Sequence, residues 1–534
     1  MAAAQGVRLA GTPNKDAPMT EPLRRKRGGR GGNTRRSDTR AIQQLPWEML
    51  ELIDRPTEPL SEEGVRAIDG AAMRILSEIG IDFLHEGARA HLKAAGAEVE
   101  PGGVRVRFDP AMVREFTARA PSRFTITPRN PERTVTIGGR IQVNGNVASP
   151  PNYSDLEGGR RPGTRAAFRD LLRLSQYFNC IHLMSGYPVE PVDLHASVRH
   201  LDCLYDKLTL TDKVCHAYSL GVERVEDAME MVRIAGGLTE EEFAATPRMF
   251  TNINSSSPLK HDWPMLDGAM RMAARGQMVS VTPFTLAGAM APVTLAGAIA
   301  QQTAEALAAI VLLQAIRPGT PVVMGSFTSN VDMKSGAPAF GTPEYMRATQ
   351  MSGQMARFYG LPLRASNACA ANCPDAQAAW ESAFSLWAVQ SAHANLVYHA
   401  AGWLEGGLVA SLEKFVMDCE TLQQMAAYNR PIGVTEEDLA VEAIAEVGPQ
   451  GHFFGVAHTQ ARYETAFYAP FLSDWRNFET WAESGAVRTP ERANAIARKI
   501  LAEFEPPALA EDRREALADF VARRKAEGGA PTDF

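Results

Sequence analysis

No run of 18 or more consecutive apolar residues occurs anywhere in the chain. Its most apolar stretch, Thr282 to Ile316, is broken by Pro283, Pro292, Gln301, Gln302 and Glu305, and so reads as a buried element rather than a membrane span. Residues 1–40 carry no apolar segment of the kind a secretory signal needs. Cysteine is scarce: Cys180, Cys203, Cys215, Cys369, Cys373 and Cys419 are dispersed, as expected of reduced thiols in a cytoplasmic protein. Gly158-Gly159 and Gly406-Gly407 match neither the dinucleotide-binding pattern nor the P-loop, which disfavours an open, doubly wound nucleotide-binding sheet. There is no H-E-x-x-H and no paired C-x-x-C; Cys369 and Cys373 stand alone, so no tightly bound metal is expected. A G-x-S-x-G elbow is also missing, which argues against serine hydrolysis. With a net charge of −7 the chain is a poor nucleic-acid binder. The local exception is the basic run from Leu23 to Arg30, set among Gly, Arg and Ser residues and read as a solvated, disordered arm.

What the chain does have is a large apolar fraction, 45%, arranged with a regular spacing. Four regions are expected: the arm (1–40), a small α+β preface (41–135), a catalytic barrel (136–475) and a C-terminal helical segment (476–534). In the preface, Ser61 is placed to cap a helix, and Val104–Phe108 and Thr134–Ile137 alternate like strands. Eight short apolar runs follow: Ile141–Asn144, Ile181–Ser185, Val214–Tyr218, Met249–Asn254, Met278–Thr282, Val322–Phe327, Leu363–Asn367 and Leu396–Gly402. Helical patterns lie between them, one beginning after Thr164, another over Thr303–Gln314 and another over Ala376–His393. Eight strand-plus-helix units in a row predict an α/β fold, a (β/α)₈ barrel of parallel strands. From Asp418 onward the chain reads as mostly helical, with Thr489-Pro490-Glu491 capping one helix.

A parallel barrel places its site at the C-terminal ends of the strands. Those ends carry amides, hydroxyls and aromatics, few carboxylates and no lysine. Ser185, Tyr187, His216 and Asn252 are among them. His216 and Cys215 are neighbours on one strand and must face opposite ways, as must Tyr398 and His399. A quaternary ammonium is held by aromatic faces. The expected substrate contacts are Phe327, Trp403, His399, Tyr218, Phe284, Asn254, Asn367, Arg364 and Glu405, with no residue forming a covalent intermediate. Arg364 would be the strongest receptor for a carboxylate.

Four ordered stretches carry a family resemblance. They are Ser257-Pro258-Leu259 with Val281 to Gly297; Pro318 to Ser326 with Asp332-Met333 and Gly341 to Glu344; Asp375 to Ser382 with His399 to Gly407; and Val447 to Gly455 with His458-Thr459. Together they resemble the trimethylamine methyltransferase family. The resemblance implies a (β/α)₈ barrel that moves a methyl group from a methylated amine to the Co(I) corrinoid of a separate small protein. The corrinoid is carried by that partner and not held tightly by this chain. A homo-oligomer is expected. Trimethylamine-specific members carry pyrrolysine in the loop before the motif similar to Asp375-Ala376-Gln377. Here the loop, Ala368 to Pro374, has no pyrrolysine and no lysine. The expected donor is therefore a quaternary amine such as glycine betaine. Alternatives are trimethylamine or another methylated amine and, in a different class, a betaine-binding protein without catalysis.

Overall fold

Each of the eight apolar runs forms a strand, and the eight close on themselves. The computed structural model describes residues 42–532, so the expected basic arm lies outside the described residues. The strands are β1 (Ile141–Asn144), β2 (Leu183–Met184), β3 (Val214–His216), β4 (Met249–Ile253), β5 (Met278–Val281), β6 (Val322–Gly325), β7 (Leu363–Ser366) and β8 (Leu396–Tyr398). Neighbours pair in parallel from β2 through to β8. The ring closes because β8 pairs in parallel with β1 and a parallel bridge joins Gly145 to Leu183. No edge is left exposed within it.

Eight helices surround the ring: α1 (Arg165–Tyr177), α2 (Arg199–Leu210), α3 (Val222–Gly236), α4 (Trp263–Ala274), α5 (Leu295–Ile316), α6 (Pro343–Phe358), α7 (Ala376–Ser391) and α8 (Leu412–Tyr428). Their starts are chemically marked. Thr164 accepts from the Ala167 N–H, Asp262 from Met265, Thr342 from Tyr345 and Asp375 from Ala378. Helix α5 is long and apolar enough to cross a membrane by length and composition, yet 83% of its apolar window is buried. It packs against α4, α6 and a helix of the preface, Glu62–Arg74. That surrounding explains why it is apolar on every side.

The inside of the ring has two levels. The lower one is solid: Val143, Leu183, Val214, Phe250, Met278, Val323 and Leu396 form one apolar cluster with Ile126, Val135 and Ile137. Those last three come from an antiparallel hairpin, Arg123–Ile126 with Val135–Gly138, which runs on into β1 and plugs the N-terminal end of the barrel. The upper level, toward the C-terminal strand ends, is where the side chains turn polar and aromatic.

Several boundaries differ from the sequence reading. The run to Gly402 ends as a strand at Tyr398, because His399 has φ +54 and breaks the pleat. The helix read over Thr303–Gln314 is longer at both ends. The chain after α8 is much less helical than expected: between Asn429 and Arg488 the α-helices have four to seven residues. Thr489 is the first helical residue of Thr489–Ala502 rather than its cap, and the preceding Arg488 makes no capping bond. Ser61 caps its helix as expected, accepting from the Gly64 N–H.

Candidate active site

At the C-terminal strand ends lies a cavity of about 430 Å³. Its wall follows from strand alternation. On β3, Cys215 faces the helices while His216 faces inward; on β4, Ile253 faces out while Asn252 and Asn254 face in. Arg364 of β7 and Tyr398 of β8 also point inward. Alternation alone would send His399 outward, but its left-handed backbone turns the ring back, and Tyr398 and His399 line the same cavity. This corrects the expectation that only one of them could.

Loops complete the mouth. Trp403-Leu404 pairs with Val409–Ser411, which pairs with Asn152–Asp155 and on to Gly159–Pro162, giving a small sheet over one side. Trp403 sits on its first strand, and its ring lies against Gly407, where a Cβ would come within 2.6 Å of it. Gly407 also has φ +101, so the approach and the backbone both require glycine. Across the mouth, Phe284 and Phe327 follow β5 and β6 with ring centroids 5.0 Å apart. Phe327 lies 5.8 Å from Trp403 and 6.0 Å from His399.

Of the nine expected contacts, seven line this cavity: Phe327, Trp403, His399, Tyr218, Phe284, Asn254 and Arg364. Two do not. Asn367 is buried below, donating to the Ala400 carbonyl at 3.1 Å. The Glu405 carboxylate turns away to Arg160, 3.0 Å off, and ties down the mouth sheet. Asn254 is partly spent on the wall itself: its amide donates to the Thr282 carbonyl at 2.9 Å and accepts from Asn252 at 3.0 Å. Ser185, His216, Tyr398 and Met265 also line the cavity outside the expected set. The first three sit at strand ends and so gave a positional signal; Met265, from α4, gave none.

The electrostatics single out one residue. Arg364 is 3% exposed and has no ion-pair partner among the described residues. Its guanidinium donates to the Ser326 carbonyl at 3.3 Å and stacks on Tyr398 at 4.3 Å and Phe327 at 5.3 Å, while its Nε has no partner. Burial pulls its pKa down to about 10. Burial, reinforced by Arg364, pushes His399 well below the usual imidazole value, and burial reinforced by Lys207 does the same to His216. Both rings are neutral at physiological pH. Neither ring nitrogen of His216 has a hydrogen-bond partner, nor do the Tyr398 hydroxyl, Trp403 Nε1 or Ser185 Oγ. Buried polar groups normally find partners, so these atoms leave the cavity wall able to bond water or a guest. Among the described residues no group of three or more His, Cys, Asp or Glu side chains is arranged to hold a metal.

The barrel mouth thus holds a small-molecule-sized cavity with an aromatic wall, two neutral imidazoles and one guanidinium that lacks an ion-pair partner among the described residues. The chain belongs to the trimethylamine methyltransferase family, whose model matches residues 25–529. It is 37% identical over 476 residues to a glycine betaine methyltransferase of Desulfitobacterium hafniense strain Y51, covering 88% of this chain and 98% of that one. It is 27% identical over 474 residues to the trimethylamine methyltransferase MttB of Desulfitobacterium hafniense strain DSM 10664 / DCB-2, covering 88% and 94%. The fold resembles that of the monomethylamine methyltransferase MtmB of Methanosarcina barkeri, with a TM-score of 0.50 at 10% identity over 87% of this chain and 89% of that one.

Proposed function

We propose that this methyltransferase takes a methyl group from a carboxylated quaternary amine of the glycine betaine type and passes it to the corrinoid of a separate small protein docked over the barrel mouth. The observation that carries the reading is the buried Arg364, which has no anionic partner of its own in a cavity walled by aromatic rings. A carboxylate supplies that partner through two parallel hydrogen bonds, and the trimethylammonium end rests on Phe327, Phe284 and Trp403. The chain's residues bind, orient and exclude water, so that one methyl faces the mouth. When bound, the corrinoid supplies the nucleophilic centre that accepts the methyl group. The carbon–nitrogen bond breaks with its electron pair left on nitrogen, and glycine betaine becomes dimethylglycine.

The loop from Ala368 to Pro374 supports a quaternary rather than a tertiary donor. A quaternary nitrogen leaves as a neutral amine without help, whereas a tertiary one needs prior protonation or activation. Cys369 offers neither: it is buried, lies 3.2 Å from the Glu381 carboxylate, and burial pushes its pKa up to about 12. Glu381 also accepts from the Ala370 and Ala371 N–H groups at 2.7 and 2.9 Å, so this loop is pinned rather than aimed at the cavity. The test is corrinoid methylation with a reduced corrinoid protein and a panel of donors. Glycine betaine is expected to react, trimethylamine not, and choline poorly. Equal rates with trimethylamine and glycine betaine would refute the assignment, and tight betaine binding without transfer would make the chain a binding protein.

A further inference from the structure

Residues 432–467 leave the barrel and, among the described residues, make no hydrogen bond or ion pair with it. Thr435 caps Glu436–Leu439 in a reciprocal box with Asp438, Arg462 pairs with Glu437, and His458 reaches the Glu437 carbonyl at 3.2 Å. The segment is therefore shaped, yet it has almost no core: of its apolar side chains only Ala443 and Val456 are buried. Ile432 is 90% exposed, Phe454 80% and Phe467 86%, with Val434, Val441 and Tyr463 also open to solvent. These six leave on the order of 900 Å² of side-chain surface in water, about what one partner contributes to a standard-size interface. The fourth stretch of family resemblance, Val447 to Thr459, falls on this segment and not at the cavity.

The same chain carries a matching surface. The outer face of α7 presents Trp380, Phe384 and Trp387, at helical spacing and each about half exposed. The one charged residue of α7 is Glu381, which is buried and bonded to the loop before it. An outer barrel helix with no charge on its solvent side has the composition of an interface core. Trp387 meets Tyr428, the last residue of α8, with ring centroids 5.3 Å apart, so the stripe runs up to the root of the segment.

We propose that residues 432–467 form an arm that docks on a second copy of this chain, each copy laying its arm across the Trp380–Phe384–Trp387 face of the other in a two-fold pair. Arm and receptor side by side on one chain are self-complementary, and a two-fold interface uses each contact twice. Their joint area, about 1,300 Å² per copy, exceeds what a stable dimer needs from each partner. The root also decides between occupants. Tyr428 ends a helix that runs back from β8, so the arm leaves at the end of the barrel opposite the mouth, where a methyl acceptor has no access to the cavity. The inference does not depend on the substrate.

Sedimentation velocity of the full chain at micromolar concentration tests it. A dimer, or a closed multiple of one, is expected. The double variants W380E/F384E and F454E/F467E should each raise the dissociation constant about thirtyfold or more while the circular dichroism stays unchanged. Because the two pairs lie on separate surfaces, a folding defect in one leaves the other informative. Hydrogen exchange followed across the dissociation range should show protection gained in both the arm and α7. A monomeric chain, a dimer indifferent to both variants, or protection gained elsewhere would overturn the proposal. So would arm substitutions that weaken only the binding of the corrinoid protein.

Discussion

Replacing Arg364 with methionine should make the unliganded protein more stable and the binding site worse. Burial lowers the Arg364 pKa from 12.5 to about 10, and below pH 10 the residue remains charged in both folded and unfolded chains. Holding that charge in the barrel therefore costs about 3 kcal/mol at neutral pH. Stacking on Tyr398 and Phe327 returns about 1–2 kcal/mol, leaving a net burden of roughly 1–2 kcal/mol that an apolar side chain of similar length does not carry. In a protein of this size that is a rise of about one to three degrees in melting temperature. The same substitution deletes the charge-assisted hydrogen bonds to a carboxylate, worth about 1.5–3 kcal/mol, or roughly 10- to 150-fold in affinity. Thermal melting by fluorimetry with and without glycine betaine, and calorimetric titration, read both quantities on one preparation. Wild type should gain stability from betaine and lose its preference for betaine over choline when Arg364 is replaced. A variant that melts lower than wild type without ligand, yet binds glycine betaine within twofold of it, would show that Arg364 belongs to the wall and not to the site.

The aromatic wall gives a second expectation: Phe327→Ala or Trp403→Ala should weaken betaine binding about five- to thirtyfold, or 1–2 kcal/mol, and unchanged affinity in both would remove the cation cage. A third concerns acid. His182 accepts the Asn144 N–H at its Nδ1 and approaches the Glu48 carbonyl with its Nε2, and burial lowers its pKa from 6.5 to about 4. The unfolded chain then binds more protons than the folded one between those values, so stability falls as pH drops from 6.5 toward 4, by up to about 3 kcal/mol. His182→Gln should flatten that part of the melting profile, and an identical acid slope in wild type and variant would contradict the assignment. Finally, protein purified without added metal should contain only substoichiometric zinc by elemental analysis, and a full equivalent lost on mutating His399 or Cys369 would refute this.

The barrel was legible in the sequence because its strands are buried on both faces. Inner and outer residues are then apolar alike, and Val322–Gly325 or Leu396–Tyr398 stands out as a run between amphipathic helices. The cavity was legible only as far as period-two alternation holds. It places Arg364, Tyr218 and Asn254 correctly and fails at His399, where a single positive φ inverts the facing. Asn367 and Glu405 looked available because they follow strand ends; the Ala400 carbonyl and Arg160 that occupy them are distant in sequence and left no local trace. Met265 enters from a helix whose start sets its direction only in three dimensions. The segment after α8 was read as helical because its composition suits helices. Frequent turns and the lack of a buried face keep those helices to a turn or two.

The hairpin that plugs the barrel floor also dictates traffic. With the lower half of the ring filled by Val143, Phe250, Met278 and their neighbours, the cavity is a blind well. In the proposed reaction, substrate and demethylated product share the mouth that a docked acceptor would also cover. On that reading the donor has to be loaded before the acceptor protein seats, and the product stays trapped until that protein departs. Such a well imposes a compulsory order of addition: an excess of the acceptor protein should inhibit turnover by capping empty barrels, and raising the donor concentration should relieve that inhibition.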